Sequence, residues 1–180
     1  MENKKNLEKV GVGEVFNIAG FDFIKFYDEN GNTVAVAKDC LFDSIFGDNN
    51  NFAKSKILNK LKKEVLSKIE AEIGAENIVE HEVDLLSLDG SDKWGKLKTK
   101  ISLPTFDFYR KHVKIFDKYK LDKWWWLATP DTTTDHCSHD YWVSCVSPGG
   151  YLYFNISDYD GSGVRPFLIF VSSIFVSCEE

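Results

Sequence analysis

Residues 141–156 read Tyr-Trp-Val-Ser-Cys-Val-Ser-Pro-Gly-Gly-Tyr-Leu-Tyr-Phe-Asn-Ile. At the centre, Ser147-Pro148-Gly149-Gly150 places proline second and glycine third in a four-residue turn. That is the type II preference: the proline ring pre-sets φ, and glycine accepts the positive φ that follows. Strand-forming residues flank the turn, so the segment is read as a β-hairpin. If Ser147 and Gly150 close the turn, Val146 faces Tyr151, Cys145 faces Leu152 and Val143 faces Phe154. Side chains alternate along a strand. One face would then hold Tyr141, Val143, Cys145, Leu152, Phe154 and Ile156, a core composition. The other would hold Trp142, Ser144, Val146, Tyr151, Tyr153 and Asn155. Rigid amphipathic rings mixed with hydrogen-bonding groups are the composition of a recognition surface.

Two polar stretches without periodicity flank the hairpin, Asp131–Asp140 and Ser157–Gly163. Loops on a rigid scaffold are where binding residues concentrate. The expected ligand-binding set is therefore Trp142, Tyr151, Tyr153 and Tyr159 for apolar area. Asp135, His136, His139, Asn155, Asp158 and Asp160 would supply polar specificity.

Charge follows the same division. The chain has 180 residues and a formal net charge of −6. Residues 124–180 hold a single cation, Arg165, against seven acids, which accounts for all of it. The same stretch holds 12 of the 26 aromatic residues, so charge and ring density coincide. Residues 1–123 carry balanced charge. Binding to phosphate backbones needs clustered Lys and Arg, so direct nucleic-acid binding is not expected. The pattern suggests a partner that is basic or rich in hydrogen-bonding groups.

The first 123 residues read as scaffold. Glu14–Ala19, Phe21–Asp28 and Thr33–Lys38 have strand composition, and Asn30-Gly31 is a hairpin signal. Ile57, Leu58, Leu61, Val65, Leu66, Ile69 and Ile73 recur in steps of three and four. That spacing predicts an amphipathic helix over 52–73, with Asn51 as N-cap and Gly74 as its stop. Residues 78–88 read as a strand, 89–98 as a loop, and a short helix is expected from Pro104 to Phe116. The 43% hydrophobic content and the length fit one domain burying roughly 70% of its unfolded surface. The expected class is α+β, a mixed sheet with one long amphipathic helix. The domain would span residues 1–180, scaffold over 1–123 and recognition segment over 124–180.

Other chemistry finds little support. Apolar runs such as Phe167–Val171 stop well short of the ~20 residues of a membrane helix, so no membrane insertion is expected. The charged start MENKKNLEK precedes no apolar stretch, so no Sec signal is read, and the protein is expected to be cytoplasmic as synthesised. A virion or the cell surface is also open as its final location. Cys40, Cys137, Cys145 and Cys178 show no metal-ligand spacing, and free thiols are expected. The run His136-Cys137-Ser138-His139-Asp140 lacks the second ligand pair of a zinc site. The run Asp158-Tyr159-Asp160-Gly161 opens like a calcium loop but lacks its twelfth-position Glu. No cofactor, metal or catalytic residue is assigned.

Trp125-Trp126-Leu127-Ala128-Thr129-Pro130 resembles a W-W-L-R-S-P motif, and Gly163-Val164-Arg165-Pro166-Phe167-Leu168 resembles G-V-R-P-A-L. The pair marks an uncharacterised domain family of Firmicutes bacteria and their phages. Gly13-Glu14-Val15-Phe16, Leu58-Asn59-Lys60-Leu61 and Leu85-Leu86-Ser87-Leu88 sit where that family has similar segments. The resemblance implies a fold similar to C-type lectins and formylglycine-generating enzymes. The variable proteins of diversity-generating retroelements use that fold with a hypermutated C-terminal segment, for which residues 131–162 would stand. The structural motif residues are then Trp125, Trp126, Pro130, Gly163, Arg165 and Pro166. Ala128 departs from the motif, so any ion pair made by the family arginine is lost here. Arg165 is expected to form a buried or half-buried ion pair with a carboxylate, and Trp125 and Trp126 to lie in the core.

Three functions follow. The first is non-enzymatic recognition through residues 131–162. The second is a phage-encoded inhibitor that presses its acidic surface on a basic host defence protein. The third is a formylglycine-generating-type enzyme or degenerate relative, using Cys137 or Cys145.

Overall fold

The structure is a computed structural model and describes residues 3–133 and 139–178. In chain order the strands are β1 Asn3–Asn6, β2 Val15–Ile18, β3 Phe21–Glu29, β4 Asn32–Ala37, β5 Phe42–Asp43, β6 His81–Asp84, β7 Lys96–Thr99, β8 Ile101–Ser102, β9 Trp125–Pro130, β10 Trp142–Val146, β11 Leu152–Ile156, β12 Gly163–Val164, β13 Phe167–Val171 and β14 Phe175–Cys178. They form a seven-stranded sheet in the order β1-β14-β2-β3-β4-β13-β8 and a five-stranded sheet in the order β11-β10-β9-β12-β5. A separate ribbon pairs β6 with β7. Every pairing is antiparallel except β9 with β12. Strands from the two ends of the chain lie side by side, since β14 pairs with both β1 and β2.

The clearest sequence signals hold. Glu29 pairs with Asn32 across Asn30 and Gly31, whose φ angles of 51° and 76° suit the tight twisted turn that Asn-Gly permits. One 18-residue helix, α1, runs through Lys56–Leu61, a π-type turn at Lys62–Leu66, and Ser67–Ile73 to stop at Gly74. The cap differs from expectation. Ser55 accepts from the Leu58 amide, whereas Asn51 caps a separate 3-10 turn at Phe52–Lys54. The chain turns at Ser55, so the cap belongs to the helix behind it.

Three other boundaries are corrected. The strand expected over 78–88 is confined to β6, and the loop expected over 89–98 contains the start of β7. Val83 and Leu97 pair on one face there. The helix expected over 104–116 is two helices, α2 Phe106–Lys111 and α3 Val113–Lys118, broken at His112. The imidazole of His112 lies among Phe26, Tyr27 and Phe108, and its φ of −118° leaves the helical range.

Strand alternation builds two cores back to back. Phe23, Ala35, Ala37 and Phe170 face one way and pack with Ile57, Leu61, Val65 and Ile69 of α1. Ile24, Phe26, Val34 and Val36 face the other way and pack with Tyr109 and Phe116 of α2 and α3. β9 follows the same rule: Trp126 and Ala128 enter the first core, Trp125 and Leu127 the second. Both faces of these central strands are dry, and burying each large side chain contributes about 1.5–3 kcal/mol.

Candidate functional site: an aromatic hairpin edge

Strand β11 is the open edge of the five-stranded sheet. The turn before it carries the type II bond, from the Gly150 amide to the Ser147 carbonyl. The hairpin nevertheless closes one residue later, because the Ser147 amide donates to Tyr151 O at 2.9 Å. Gly149 and Gly150 both take positive φ, 91° and 88°. The extra left-handed glycine lengthens one arm, as in a glycine bulge.

This corrects the expected register. Val146 faces Leu152, Cys145 faces Tyr153, Ser144 faces Phe154, Val143 faces Asn155 and Trp142 faces Ile156. A one-residue slip exchanges faces along one whole strand. Val146, expected outside, is 1% exposed in the second core, and Phe154, expected inside, is 45% exposed. Ser144, expected on the outward face, is buried, and its hydroxyl donates to Thr129 O at 2.7 Å. Strand β10 is therefore covered on both sides, and the exposed rings gather on β11 and the hairpin base.

Tyr151 and Tyr153 are 74% and 56% exposed, whereas Trp142 and Asn155, expected on the same outward face, are half-buried. The Asn155 side chain accepts from the Ile156 amide, which satisfies one group of the open edge. Tyr141, expected in the core, is exposed. His139, Tyr141, Trp142, Phe154, Tyr153 and Trp124 form a continuous line of ring contacts, with centroid separations of 4.8, 5.7, 5.4, 5.3 and 5.5 Å. Beside that line an open cleft is bounded by Tyr141, Trp142, Ile156, Asp48, Asp158 and Lys56. Asp158 and Asp160 are exposed. Tyr159 is half-buried against the first core and offers less free surface than expected. Asp135, His136 and Cys137 lie outside the described residues.

The loops are held from the N-terminal half. Phe46 and Gly47 amides donate to Ser157 O, and the Ser44 amide donates to Ser162 O. Asn50 is fully buried. Its amide group donates to the carbonyls of Thr132 and Trp142, its backbone amide to Asp140 O, and its Oδ1 accepts from Trp94 Nε1. One residue thus ties the backbones of Thr132, Asp140 and Trp142 together beside the hairpin. In the sequence it sits in a polar run that reads only as a break. Asp131 is half-buried, and burial, with Asp89 adding repulsion, pushes its carboxyl above the usual range.

The motif residues form the frame. Trp126 is fully buried and donates its Nε1 to Ser44 O at 2.9 Å. Pro130 lies opposite Val143, and the Pro166 carbonyl accepts from Ala37. The Gly163 amide donates to Trp124 O at 2.7 Å. A Cβ on Gly163 would stand 2.7 Å from that of Cys40, so the chain leading into β5 passes β12 too closely for a side chain there.

Arg165 is 1% exposed, and among the described residues no carboxylate lies within ion-pair distance, which corrects the expected pair. Nε donates to Ala37 O at 3.0 Å and Nη2 to Lys38 O at 2.9 Å. The guanidinium lies over the rings of Trp125 and Phe116, at 4.8 and 5.4 Å. Burial pulls its pKa down to about 10. Carbonyl dipoles and π faces take the role expected of a carboxylate.

Burial makes the described thiols poor nucleophiles. It pushes Cys145 up to about 12 and Cys40 up to about 11. Among the described residues no three His, Cys, Asp or Glu side chains converge as a metal site would require. Nor is any helix among them long and apolar enough to cross a membrane. No protein-family model, curated protein or solved structure matches the chain.

Proposed function

We propose that the protein is a non-enzymatic recognition module that binds its partner along the aromatic edge of the β10–β11 hairpin. The unbroken line of rings from His139 to Trp124 carries this reading. Rings that are exposed yet fixed by their neighbours present apolar area at low entropic cost. The exposed carboxylates of Asp48, Asp158 and Asp160 suit a partner with cationic or hydrogen-bond-donating groups. A basic protein surface fits both, including that of a host defence protein the chain would inhibit. The paired terminal strands and single long helix support a fold similar to C-type lectins. In that reading residues 131–162 form the segment that sets ligand choice.

A panel of immobilised proteins and oligosaccharides tests the proposal. Wild type, Tyr153→Ala/Phe154→Ala and the control Val12→Ser/Phe175→Ser would be probed side by side. The expected ligand is retained by wild type and control and lost by the hairpin variant. A ligand held equally by all three proteins would overturn the assignment. Steep weakening with salt would mark a basic partner, and indifference to salt a neutral one.

A further inference from the structure

A second site stands apart from the hairpin reading. A cleft of about 260 Å³ opens between β6, β8, α2 and β13. Its walls are largely apolar, from Tyr27, Val83, Leu103, Phe108, Phe167 and Ile169. Phe108 and Phe167 meet edge to face at 5.0 Å, so two of its rings brace each other.

Four other side chains line the cleft, and two are already occupied. Glu82 is held by Lys96 at 2.8 Å, and Thr105 Oγ1 accepts from the Phe108 amide as the cap of α2. The remaining two face each other: His81 Nε2 lies 2.9 Å from Ser102 Oγ. His81 Nδ1 lies near the Val79 backbone but makes no hydrogen bond of normal geometry. Burial drives the His81 pKa down to about 4, so the imidazole is neutral at pH 7. A neutral imidazole with a hydroxyl can both donate and accept, and carries no charge that a ligand must match. An apolar cavity of about 150 Å³ suffices for benzene, so this cleft has room for a substituted ring.

We propose that the cleft binds a small uncharged aromatic molecule bearing one hydroxyl or amide, with the Ser102–His81 pair as its polar anchor. Apolar walls with a few convergent polar groups are the usual composition of a small-molecule site. The walls supply affinity, and the pair selects a ligand with a polar atom at one end.

Titration of the isotopically labelled full chain with p-cresol and with toluene, followed by amide NMR shifts, tests this. The two probes share shape and differ by the hydroxyl. The expected result is saturable shifts at His81, Ser102, Phe108 and Ile169, with p-cresol binding roughly fivefold tighter than toluene, the worth of one hydrogen bond. Ser102→Ala should reduce p-cresol to the level of toluene, and Ile169→Trp, which fills the cleft, should abolish both. Equal affinity of the two probes, shifts confined to other regions, or no saturable shift up to the solubility limit would overturn the proposal. Ser102→Ala changes few atoms and keeps the comparison decisive if Ile169→Trp fails to fold.

Discussion

Trp142 and Phe154 meet edge to face, ring centroids 5.4 Å apart and planes at 87°. Their contact joins the hairpin base to the open edge strand and completes the line of rings proposed as the binding surface. It exists because the hairpin closes at Ser147 and Tyr151, which puts Phe154 on the same sheet face as Trp142 and Val146, with Val146 in the second core and Phe154 on the open edge strand.

Burial along that one face predicts opposite outcomes for one substitution at two sites. Val146→Asp places a carboxylate in the second core and should cost at least about 3 kcal/mol. Phe154→Asp faces water and should stay within about 1 kcal/mol. Urea unfolding of both variants measures this. The reverse order would restore the register closed at Gly150.

Arg165→Lys is expected to destabilise by about 2 kcal/mol, far more than a surface exchange. A lysine cannot reach the Ala37 and Lys38 carbonyls from two nitrogens of one plane, nor lie flat between Trp125 and Phe116. Thermal unfolding at several protein concentrations would report it. An unchanged melting temperature would show that the planar group contributes little.

His81 makes stability depend on pH. Its ordinary pKa of 6.5 falls to about 4 in the folded chain because burial disfavours the cation. Between those values the unfolded chain holds a proton that the folded chain does not. Stability therefore rises with pH through this window and is lost as pH falls. The loss between pH 7 and 5 should be about 2 kcal/mol. His112 shifts downward for the same reason, so the His81 share is the difference between wild type and His81→Phe. Parallel pH profiles for the two proteins would contradict the buried neutral imidazole.

Asn50→Ala should cost about 2–3 kcal/mol, since it strands buried partners on Thr132, Trp142 and Trp94. Amide exchange should quicken at Thr132, Thr133 and Trp142 more than in β3 and β4. Uniform acceleration would mean that Asn50 supports the whole core and not the loop in particular.

How far these features were legible depends on the range of the interaction that sets them. Strands β2, β3 and β4, helix α1 and the Ser147–Gly150 turn follow from local pattern and were readable. The hairpin register was not. Two successive glycines let the second join either the turn or the strand, and the Ser147–Tyr151 bond that marks the outcome exists only in the folded hairpin. Strand β7 is four residues of Lys-Leu-Lys-Thr, too short to show alternation until Val83 lies opposite Leu97. The acceptors of Arg165 are backbone carbonyls 128 and 127 residues away, and carbonyls leave no trace in sequence. Asn50 and the Ser102–His81 pair are single polar residues whose meaning comes from partners brought by the fold. Tyr151 and Tyr153 were found as exposed candidates from composition. The slipped register puts Phe154 on the core face, and Tyr141 follows the Val143–Cys145 alternation but lies just before β10, at the rim.

The central claim is that partners bind along the hairpin edge. Hydroxyl-radical footprinting of a complex, read by mass spectrometry, tests it most directly. The account predicts that Tyr141, Trp142, Tyr153 and Phe154 become protected together when a ligand binds, while Val12 and Phe175 keep their reactivity. Protection centred on Val12 and Phe175, with Tyr153 and Phe154 as reactive as in the free protein, would contradict it.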